Sequence, residues 1–304
     1  MRFVTLAPAK VNLVLRVGAL RADGFHDIAS LMVPLDLGDP VEVRIGSRPG
    51  PVTCKVPGRP ELDGPGNLAA RAAEKFKAAF GVDRAIAIRI VKRIPVTAGL
   101  GGGSSDAAAV LRCLARAFRV KDDRTLARLA LEVGSDVPFF LGEGPAWARG
   151  QGERLRPAKV PVQHLVLLFP EDPALGIRAG EAYRWLDASR QGREVPDLPR
   201  PRPFGRSLLG NDLEPPCLEQ RPVLEGFLRR LSGAGAAAVM MSGSGPTVFG
   251  VFEDRRSASK AATIISKEVG RAVRVLVART VSRQPGVTSW RSPRSASSPS
   301  TRRS

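Results

Sequence analysis

The sequence predicts an α+β fold divided into two domains. A chain of 304 residues is long enough for about two domains, and a hydrophobic content of 43% is enough to build packed cores. Alternating apolar residues at 41–45 indicate a strand, whereas apolar residues with helical spacing follow at 107–118. The last patterned block, residues 236–279, reads strand–strand–helix–strand, which is typical of a compact α+β layer.

The N-terminal domain is predicted to span residues 1–160. Asn67 is expected to cap a helix that ends before Gly81. Gly134 is expected to end a later helix, and Pro138 excludes a helix interior just beyond it. The predicted elements in order are strand 3–17, strand 41–45, helix 67–80, strand 85–91, a helix from about residue 104, and helix 123–133.

The C-terminal domain is predicted to span residues 161–281. Residues 282–304 form a basic tail that is expected to be disordered, because it is rich in Ser, Arg and Pro and nearly lacks apolar residues. A Ser-Gly-Ser-Gly turn begins at Ser242 and fits either a plain hairpin or a segment that closes over a neighbouring loop. The predicted elements are strand 164–169, helix 177–188, loop 189–206, helix 216–231, strands 236–241 and 247–252, helix 257–269 and strand 272–279.

The composition excludes several classes of protein. The chain has no run of 18 apolar residues and no long apolar signal core at its start, so we expect a cytoplasmic protein without a membrane span. Its 3 cysteines are far apart and suggest neither a disulfide framework nor a zinc site. With only 2 histidines, a histidine-based metal site is not expected.

The net charge of +18 is compatible with nucleic-acid binding. However, aromatic residues make up only 5% of the chain, and the arginines are scattered without a dense patch. Nucleic acid is therefore not expected as the main partner. The other interpretation of the positive charge is that it attracts anionic substrates such as nucleotides. The oligomeric state is not indicated by the sequence.

A glycine-rich loop runs directly into an amphipathic helix, and it is the strongest functional signal in the chain. Glycine lets a ligand approach the backbone, and the first turn of a helix offers unpaired N–H groups, so the segment predicts a phosphate site with ATP as first candidate. It is neither a Walker A motif nor a dinucleotide fingerprint. A flexible linker is the alternative. The candidate contacts are Pro95, Val96, Thr97, Ala98, Gly99, Leu100, Gly101, Gly102, Gly103, Ser104 and Ser105.

Phosphoryl transfer also needs a metal ion, a cation and a group that orients or deprotonates the acceptor hydroxyl. Ser104 and Ser105 are candidate Mg²⁺ ligands or phosphate contacts, and one of them is expected to cap the helix. Asp136 stands in an apolar turn, where burial would raise its pKa and suit it to act as a base. A plain turn aspartate is the alternative interpretation.

Two further pairs of residues are candidates. Lys10 and Asn12 lie two residues apart on a predicted strand, so they share one face and form a small polar platform, although a lone strand lysine usually points to water. Phe25 and His26 follow an Asp-Gly turn and are predicted to project from a loop, where they could stack on and hydrogen-bond a base. An ordinary solvated loop histidine is the alternative.

Three ordered motifs resemble the kinase superfamily that contains galactokinase, homoserine kinase and mevalonate kinase. They are Pro8-Ala-Lys-Val-Asn12, the loop from Pro95 through Ala108, and Ser242-Gly-Ser-Gly-Pro246. Within that superfamily, residues 15–26, 134–139 and 211–214 resemble the kinases of the non-mevalonate isoprenoid route that phosphorylate a cytidylylated methylerythritol. Phe25 departs from the pattern, in which Tyr is common, and the family does not need the tail after residue 281.

The resemblance implies an N-terminal ribosomal-S5-like domain and a C-terminal ferredoxin-like domain, with the active site between them. It implies ATP and Mg²⁺ as cofactors and a cytidine diphosphate compound as substrate, phosphorylated on its 2-hydroxyl. A homoserine or mevalonate kinase activity, or an RNA-binding protein on an S5-like fold, are the alternatives. The resemblance implies that Asp136 is the catalytic base, with Lys10 beside it to hold it ionised and to stabilise charge on the reacting groups. The other implied roles are substrate positioning by Asn12, cytosine recognition by Phe25 and His26, phosphate binding by 95–105, and adenine contact near Asn67 and Leu68.

Overall fold

Two β-sheets with helices packed on them organise the chain. The computed structural model describes residues 1–191 and 193–290. The first sheet is built around a long hairpin of β1 (Arg2–Leu20) and β2 (His26–Pro49). Its other strands are β3 (Val52–Lys55), β4 (Arg84–Ile90), β5 (Ala146–Gly150), β6 (Arg154–Pro157), β8 (Gly210–Asn211) and β12 (Thr288–Trp290).

The order of the first sheet is β12-β1-β2-β4-β3, with β5 and β6 continuing from β2 and β8 beside β1. The register between β1 and β2 shifts between Pro8 and Lys10 and again between Asn12 and Val14. Such irregularities turn individual side chains out of the regular alternation. The predicted strand 3–17 is thus confirmed and longer than expected, whereas β3, β5, β6 and β8 were not predicted.

The helices of this half are α1 (Leu68–Phe80), α2 (Gly102–Phe118), α3 (Asp123–Val133) and α4 (Val137–Leu141). The first two pack on the first sheet, and α3 and α4 pack mainly on α1 and α2. The predicted cap of α1 is confirmed, because the Asn67 side chain accepts from the Ala69 N–H at 2.9 Å. The predicted serine cap of α2 is wrong. That helix begins two residues earlier, after Gly101 in the left-handed region, and has no side-chain cap.

The second sheet consists of β7 (His164–Pro170), β9 (Ala238–Met241), β10 (Val248–Phe252) and β11 (Val273–Arg279), all antiparallel in the order β11-β7-β10-β9. Its helices are α5 (Ala179–Ser189), α6 (Glu214–Gln220), α7 (Val223–Gly233) and α8 (Arg255–Val269). The prediction of a single helix at 216–231 is wrong. Pro222 separates α6 from α7, because proline cannot donate the hydrogen bond that would continue the helix.

The end of the described chain returns to the first sheet. Residues 288–290 pair with residues 2–4 of β1 as an antiparallel strand, so the prediction of disorder from residue 282 is wrong for this segment. Backbone pairing to an open sheet edge can order a segment that has little apolar content of its own. Residues 291–304 of the predicted tail lie outside the described residues. The boundary at residue 160 stays a prediction.

Candidate active site

Two cavities meet at the glycine-rich loop. The outer cavity, of about 490 Å³, lies between the loop and the start of α1, and the inner cavity, of about 150 Å³, lies behind it. Gly99 and Gly101 line both cavities. A ligand in the outer cavity and a second ligand in the inner cavity would therefore meet at these two glycines.

The conformation of the loop depends on backbone angles that glycine adopts without strain. Gly99 and Gly101 have φ of 73° and 70°, in the left-handed region. The Lys10 N–H donates to the Leu100 carbonyl at 2.9 Å and so joins the loop to β1. A Cβ on Gly101 would lie 2.9 Å from the Phe140 ring. The loop thus ends at the first turn of α2, where unpaired N–H groups carry partial positive charge.

The glycine turn that begins at Ser242 closes over this loop and is not a free hairpin. A Cβ on Gly99 would lie 2.3 Å from the Ser242 carbonyl oxygen, and the Ser242 hydroxyl donates to the Gly99 carbonyl at 3.2 Å. The Asn211 side-chain amide holds the turn by donating to the carbonyls of Met241 and Gly243, at 2.9 and 2.7 Å. Of the two predicted arrangements, the structure has the closed one.

Lys10 and Asp136 come together in the inner cavity although they are far apart in sequence. The Lys10 Nζ lies 3.5 Å from Asp136 Oδ2 and donates to Asn12 Oδ1 at 2.6 Å. Asn12 in turn donates to the Ser30 hydroxyl at 2.7 Å. The Lys10 side chain is 5% exposed but that of Asp136 is 33% exposed, so the predicted burial of this carboxylate is wrong. It stands before the first residue of α4 and faces the cavity.

Not every predicted phosphate contact lines a cavity. Ser104 lines the outer cavity, as does Asn67. Leu100 belongs to an apolar cluster between the sheets, and Ser105 is buried with its hydroxyl unpartnered. Of the two predicted Mg²⁺ ligands, therefore, only Ser104 lines the outer cavity. Among residues 1–191 and 193–290, no group of three or more His, Cys, Asp or Glu side chains could hold a metal ion.

The two candidate base-recognition residues, Phe25 and His26, differ in their exposure to solvent. Phe25 is exposed at the tip of the β1–β2 hairpin, as predicted. His26 is buried, so the prediction of a loop histidine is wrong. Its Nδ1 lies 2.9 Å from the Gly18 carbonyl oxygen, and its Nε2 lies 3.3 Å from an Asp187 carboxylate oxygen. Its ring stacks on the ring of Tyr183, with 5.3 Å between the ring centroids.

Tyr183 is a site residue that the sequence analysis missed. It lines the inner cavity on one side and contacts the His26 ring on the other. Burial raises the pKa of its hydroxyl, which stays protonated and can donate a hydrogen bond. The only signal in the sequence that could have pointed to it is that it is the single tyrosine of the chain and lies on a predicted helix.

Both halves of the chain match family models of one class of kinase. The GHMP kinases N terminal domain matches residues 67–144, and the GHMP kinases C terminal domain matches residues 195–272. The first match includes the glycine loop and Asp136, and the second includes the turn that closes over the loop. No helix in the described part of the chain is long and apolar enough to cross a membrane.

Comparison with individual relatives shows which family within this class of kinases the chain belongs to. The 4-diphosphocytidyl-2-C-methyl-D-erythritol kinase of an Anaeromyxobacter species (strain Fw109-5) is 70% identical over 100% of both chains, and that of Deinococcus radiodurans is 39% identical over 86% of this chain and 88% of its own. A solved 4-(cytidine 5'-diphospho)-2C-methyl-D-erythritol kinase superposes with a TM-score of 0.72 at 34% identity, covering 91% of this chain and 98% of its own. A homoserine kinase from Cytophaga hutchinsonii, at 19% identity, TM-score 0.66 and coverage of 94% and 96%, shares the fold. The chain belongs to the GHMP kinases and, within them, to the 4-diphosphocytidyl-2-C-methyl-D-erythritol kinase family.

Proposed function

We propose that this chain transfers the γ-phosphoryl group of ATP to the 2-hydroxyl of 4-diphosphocytidyl-2-C-methyl-D-erythritol. The observation that carries the proposal is the meeting of two cavities at Gly99 and Gly101, with Lys10 and Asp136 in the inner one. Membership of the kinase family supports the choice of reaction and of acceptor.

ATP would occupy the outer cavity. Its base would lie near Asn67 and its triphosphate would follow the backbone amides of residues 99–103 to the first turn of α2, where N–H groups and the helix dipole favour negative charge. The γ-phosphate would then reach the two glycines that both cavities share. In this arrangement the loop would be the phosphate-binding element, in agreement with the sequence-based prediction.

The acceptor hydroxyl would approach from the inner cavity. Its oxygen forms a bond to the γ-phosphorus while the bond to the β,γ-bridging oxygen breaks, which yields ADP and a phosphate ester. Asp136 takes the hydroxyl proton. The Lys10 ammonium, 3.5 Å from the carboxylate, balances negative charge as the phosphoryl group moves. Asn12, fixed by Lys10 and Ser30, positions the acceptor.

Mg²⁺ fits this site as a partner of the phosphates. It prefers oxygen ligands and usually binds through one or two protein groups plus substrate phosphates, so a large cluster of acids is not required. Ser104 lies on the wall of the outer cavity, and its hydroxyl oxygen is 3.8 Å from where a Cβ on Gly134 would stand, on the side of Asp136. Ser104 is the residue that would hold the ion, which would neutralise charge on the transferring phosphate.

The cytidine end of the acceptor would be recognised at the β1–β2 hairpin. Phe25 offers an exposed aromatic face, and Tyr183 and His26 form a stacked pair beside the inner cavity. Phe25→Ala is expected to raise the KM for the cytidine acceptor about tenfold, because stacking of one base on an aromatic side chain is worth about 1–3 kcal/mol. Steady-state kinetics with each substrate varied in turn measures this effect.

Leu20→Ala is the matched control for that variant, since Leu20 is equally exposed on the same hairpin and should leave both KM values unchanged. His26→Ala is expected to raise the acceptor KM as well, with a loss of stability because His26 is buried. A larger change in the KM for ATP than for the acceptor would refute cytosine recognition at this hairpin.

We propose two finer assignments for the fold. The second sheet, with order β11-β7-β10-β9, follows the β-α-β-β-α-β connection of ferredoxin-like layers, and the first sheet with α1 and α2 corresponds to the ribosomal-S5-like domain. A cytoplasmic location is proposed with them, because the reaction consumes ATP.

Release of ADP tests the proposed function. A coupled assay with ATP and the cytidylylated methylerythritol is expected to show turnover, with homoserine and mevalonate giving little. Faster turnover of homoserine or mevalonate would show that this compound, and not the proposed acceptor, is the substrate. Absence of turnover with all three, together with RNA binding that survives moderate salt, would overturn the kinase assignment.

A further inference from the structure

Three buried charged residues meet beneath the first turn of α2, outside the Lys10–Asp136 pair. The Lys92 Nζ lies 2.5 Å from Asp39 Oδ2 and 2.8 Å from Asp106 Oδ2. The exposed fractions of the three side chains are 9% for Lys92, 0% for Asp39 and 3% for Asp106. One cation therefore bridges two carboxylates, from β2 and from α2, at a depth where salt screens little.

The bridge joins segments that all lead to the glycine loop. Asp39 uses its other oxygen to accept the backbone N–H groups of Arg93 and Ile94, at 2.5 and 2.8 Å, so it also fixes the chain that enters the loop. A Cβ on Gly102 would lie 3.3 Å from the Lys92 Nζ, which places the ammonium against the first residue of α2. Both Lys92 and Asp106 line the outer cavity.

The charge of Lys92 is already matched by the protein. Burial alone would lower the pKa of Lys92, but Asp106 and Asp39 together outweigh it, so that the pKa is raised and the side chain stays charged. Burial raises the pKa of Asp106 to about 7, but the Asp39 carboxylate alone balances the ammonium, so no surplus positive charge is left for a phosphate. Its contribution to nucleotide binding would therefore be geometric, through the segments that it connects.

We infer that Lys92 is a positioning residue for the nucleotide: by joining Asp39 of β2 to Asp106 of α2, it presets the backbone amides of residues 99–105 for the triphosphate. This inference rests on the proposed function of the loop and assigns a part of it that neither the loop nor the Lys10–Asp136 pair supplies. Preorganised donors bind and stabilise phosphate charge without a cost of rearrangement when the ligand arrives.

Lys92→Met tests the inference, because it keeps the length of the side chain and removes its charge. Titration with a fluorescent ATP analogue, without acceptor, is expected to show a dissociation constant raised by about 10–100-fold, the loss that follows a displacement of about 1 Å in a positioned group. The KM for the acceptor should change less than about twofold, since the inner cavity is not touched. Lys92→Arg should restore most of the nucleotide affinity.

Arg89→Met is the matched control: Arg89 is an exposed cation on β4 and should leave nucleotide binding unchanged. Circular dichroism and thermal unfolding show whether each variant folds. If Lys92→Met does not fold, Asp39→Asn decides the question, because the amide oxygen still accepts from Arg93 and Ile94 while one of the two carboxylates that hold Lys92 is lost. Its dissociation constant should rise by at least about threefold.

Nucleotide affinity equal to that of the parent chain in the folded variant would overturn the inference. Equal losses in nucleotide affinity and acceptor KM would also overturn it, because they would mean a general structural role. The proposed function would fail by a different result, namely the absence of turnover of any acceptor by the parent chain. The titration of the Lys92 variants is made without acceptor, so its outcome does not depend on turnover.

Discussion

Replacing Asp136 with asparagine is expected to lower kcat by roughly 10²–10⁴-fold while nucleotide binding stays largely intact, which is the usual loss on removing a general base. Asparagine has the size of aspartate but cannot take the acceptor proton, and it removes the partner of Lys10 at 3.5 Å. Asp136 lines the inner cavity and not the outer one, so the binding of ATP should change little. Pre-steady-state mixing with ATP and acceptor measures the chemical step directly.

Asp123→Asn is the control for this loss of charge. Asp123 lies in the first turn of α3, lines neither of the two cavities and should leave kcat unchanged. Full activity of Asp136→Asn would remove Asp136 from the role of base. A large loss of nucleotide affinity in the same variant would mean that Asp136 acts by shaping the phosphate loop.

Gly99→Ala is expected to lower the affinity for ATP by at least about 100-fold, the loss that misplacement of a binding group produces. The added Cβ would stand 2.3 Å from the Ser242 carbonyl oxygen, which is backbone and is held from behind by Asn211. The φ of 73° at Gly99 adds strain of roughly 1–2 kcal/mol for any other residue. The loop and the turn at 242–245 must therefore separate, and the backbone amides that are proposed to bind the triphosphate would move with them.

Gly233→Ala is the matched substitution, because Gly233 ends α7 with no heavy atom within 4 Å of its added Cβ and no positive φ. Isothermal titration with a non-hydrolysable ATP analogue compares the two variants. Unchanged affinity in Gly99→Ala would show that the turn at 242–245 does not set the loop conformation.

Local signals in the sequence were sufficient for much of this fold and site. Asn67 and Gly81 bracket α1 because a side-chain cap and a left-handed glycine are encoded by single residues. The glycine loop was recognisable for the same reason: its conformational freedom and the helix after it are adjacent in sequence. The Lys10–Asp136 contact was expected from the resemblance, since nothing local connects residues so far apart.

Non-local packing decided what the sequence did not reveal. The exposure of Asp136 depends on the inner cavity, whose walls come from β1, α5 and the turn at 242–245. His26 looked like a loop residue, but β1 and Tyr183 of α5 bury it. Lys92 followed an ordinary strand, and only tertiary folding brings Asp39 and Asp106 to it. The strand at 288–290 exists because β1 presents an edge to it.

The central claim is that Lys10 and Asp136 act as one unit on a phosphoryl group delivered by the glycine loop. A cycle of Lys10→Met, Asp136→Asn and the double variant, measured as kcat for phosphorylation of the cytidine acceptor, tests this most directly. The double variant is predicted to be no more than about tenfold slower than the slower single variant, because residues that act together are strongly non-additive. Losses that multiply in full would contradict the claim and assign the two side chains to separate steps.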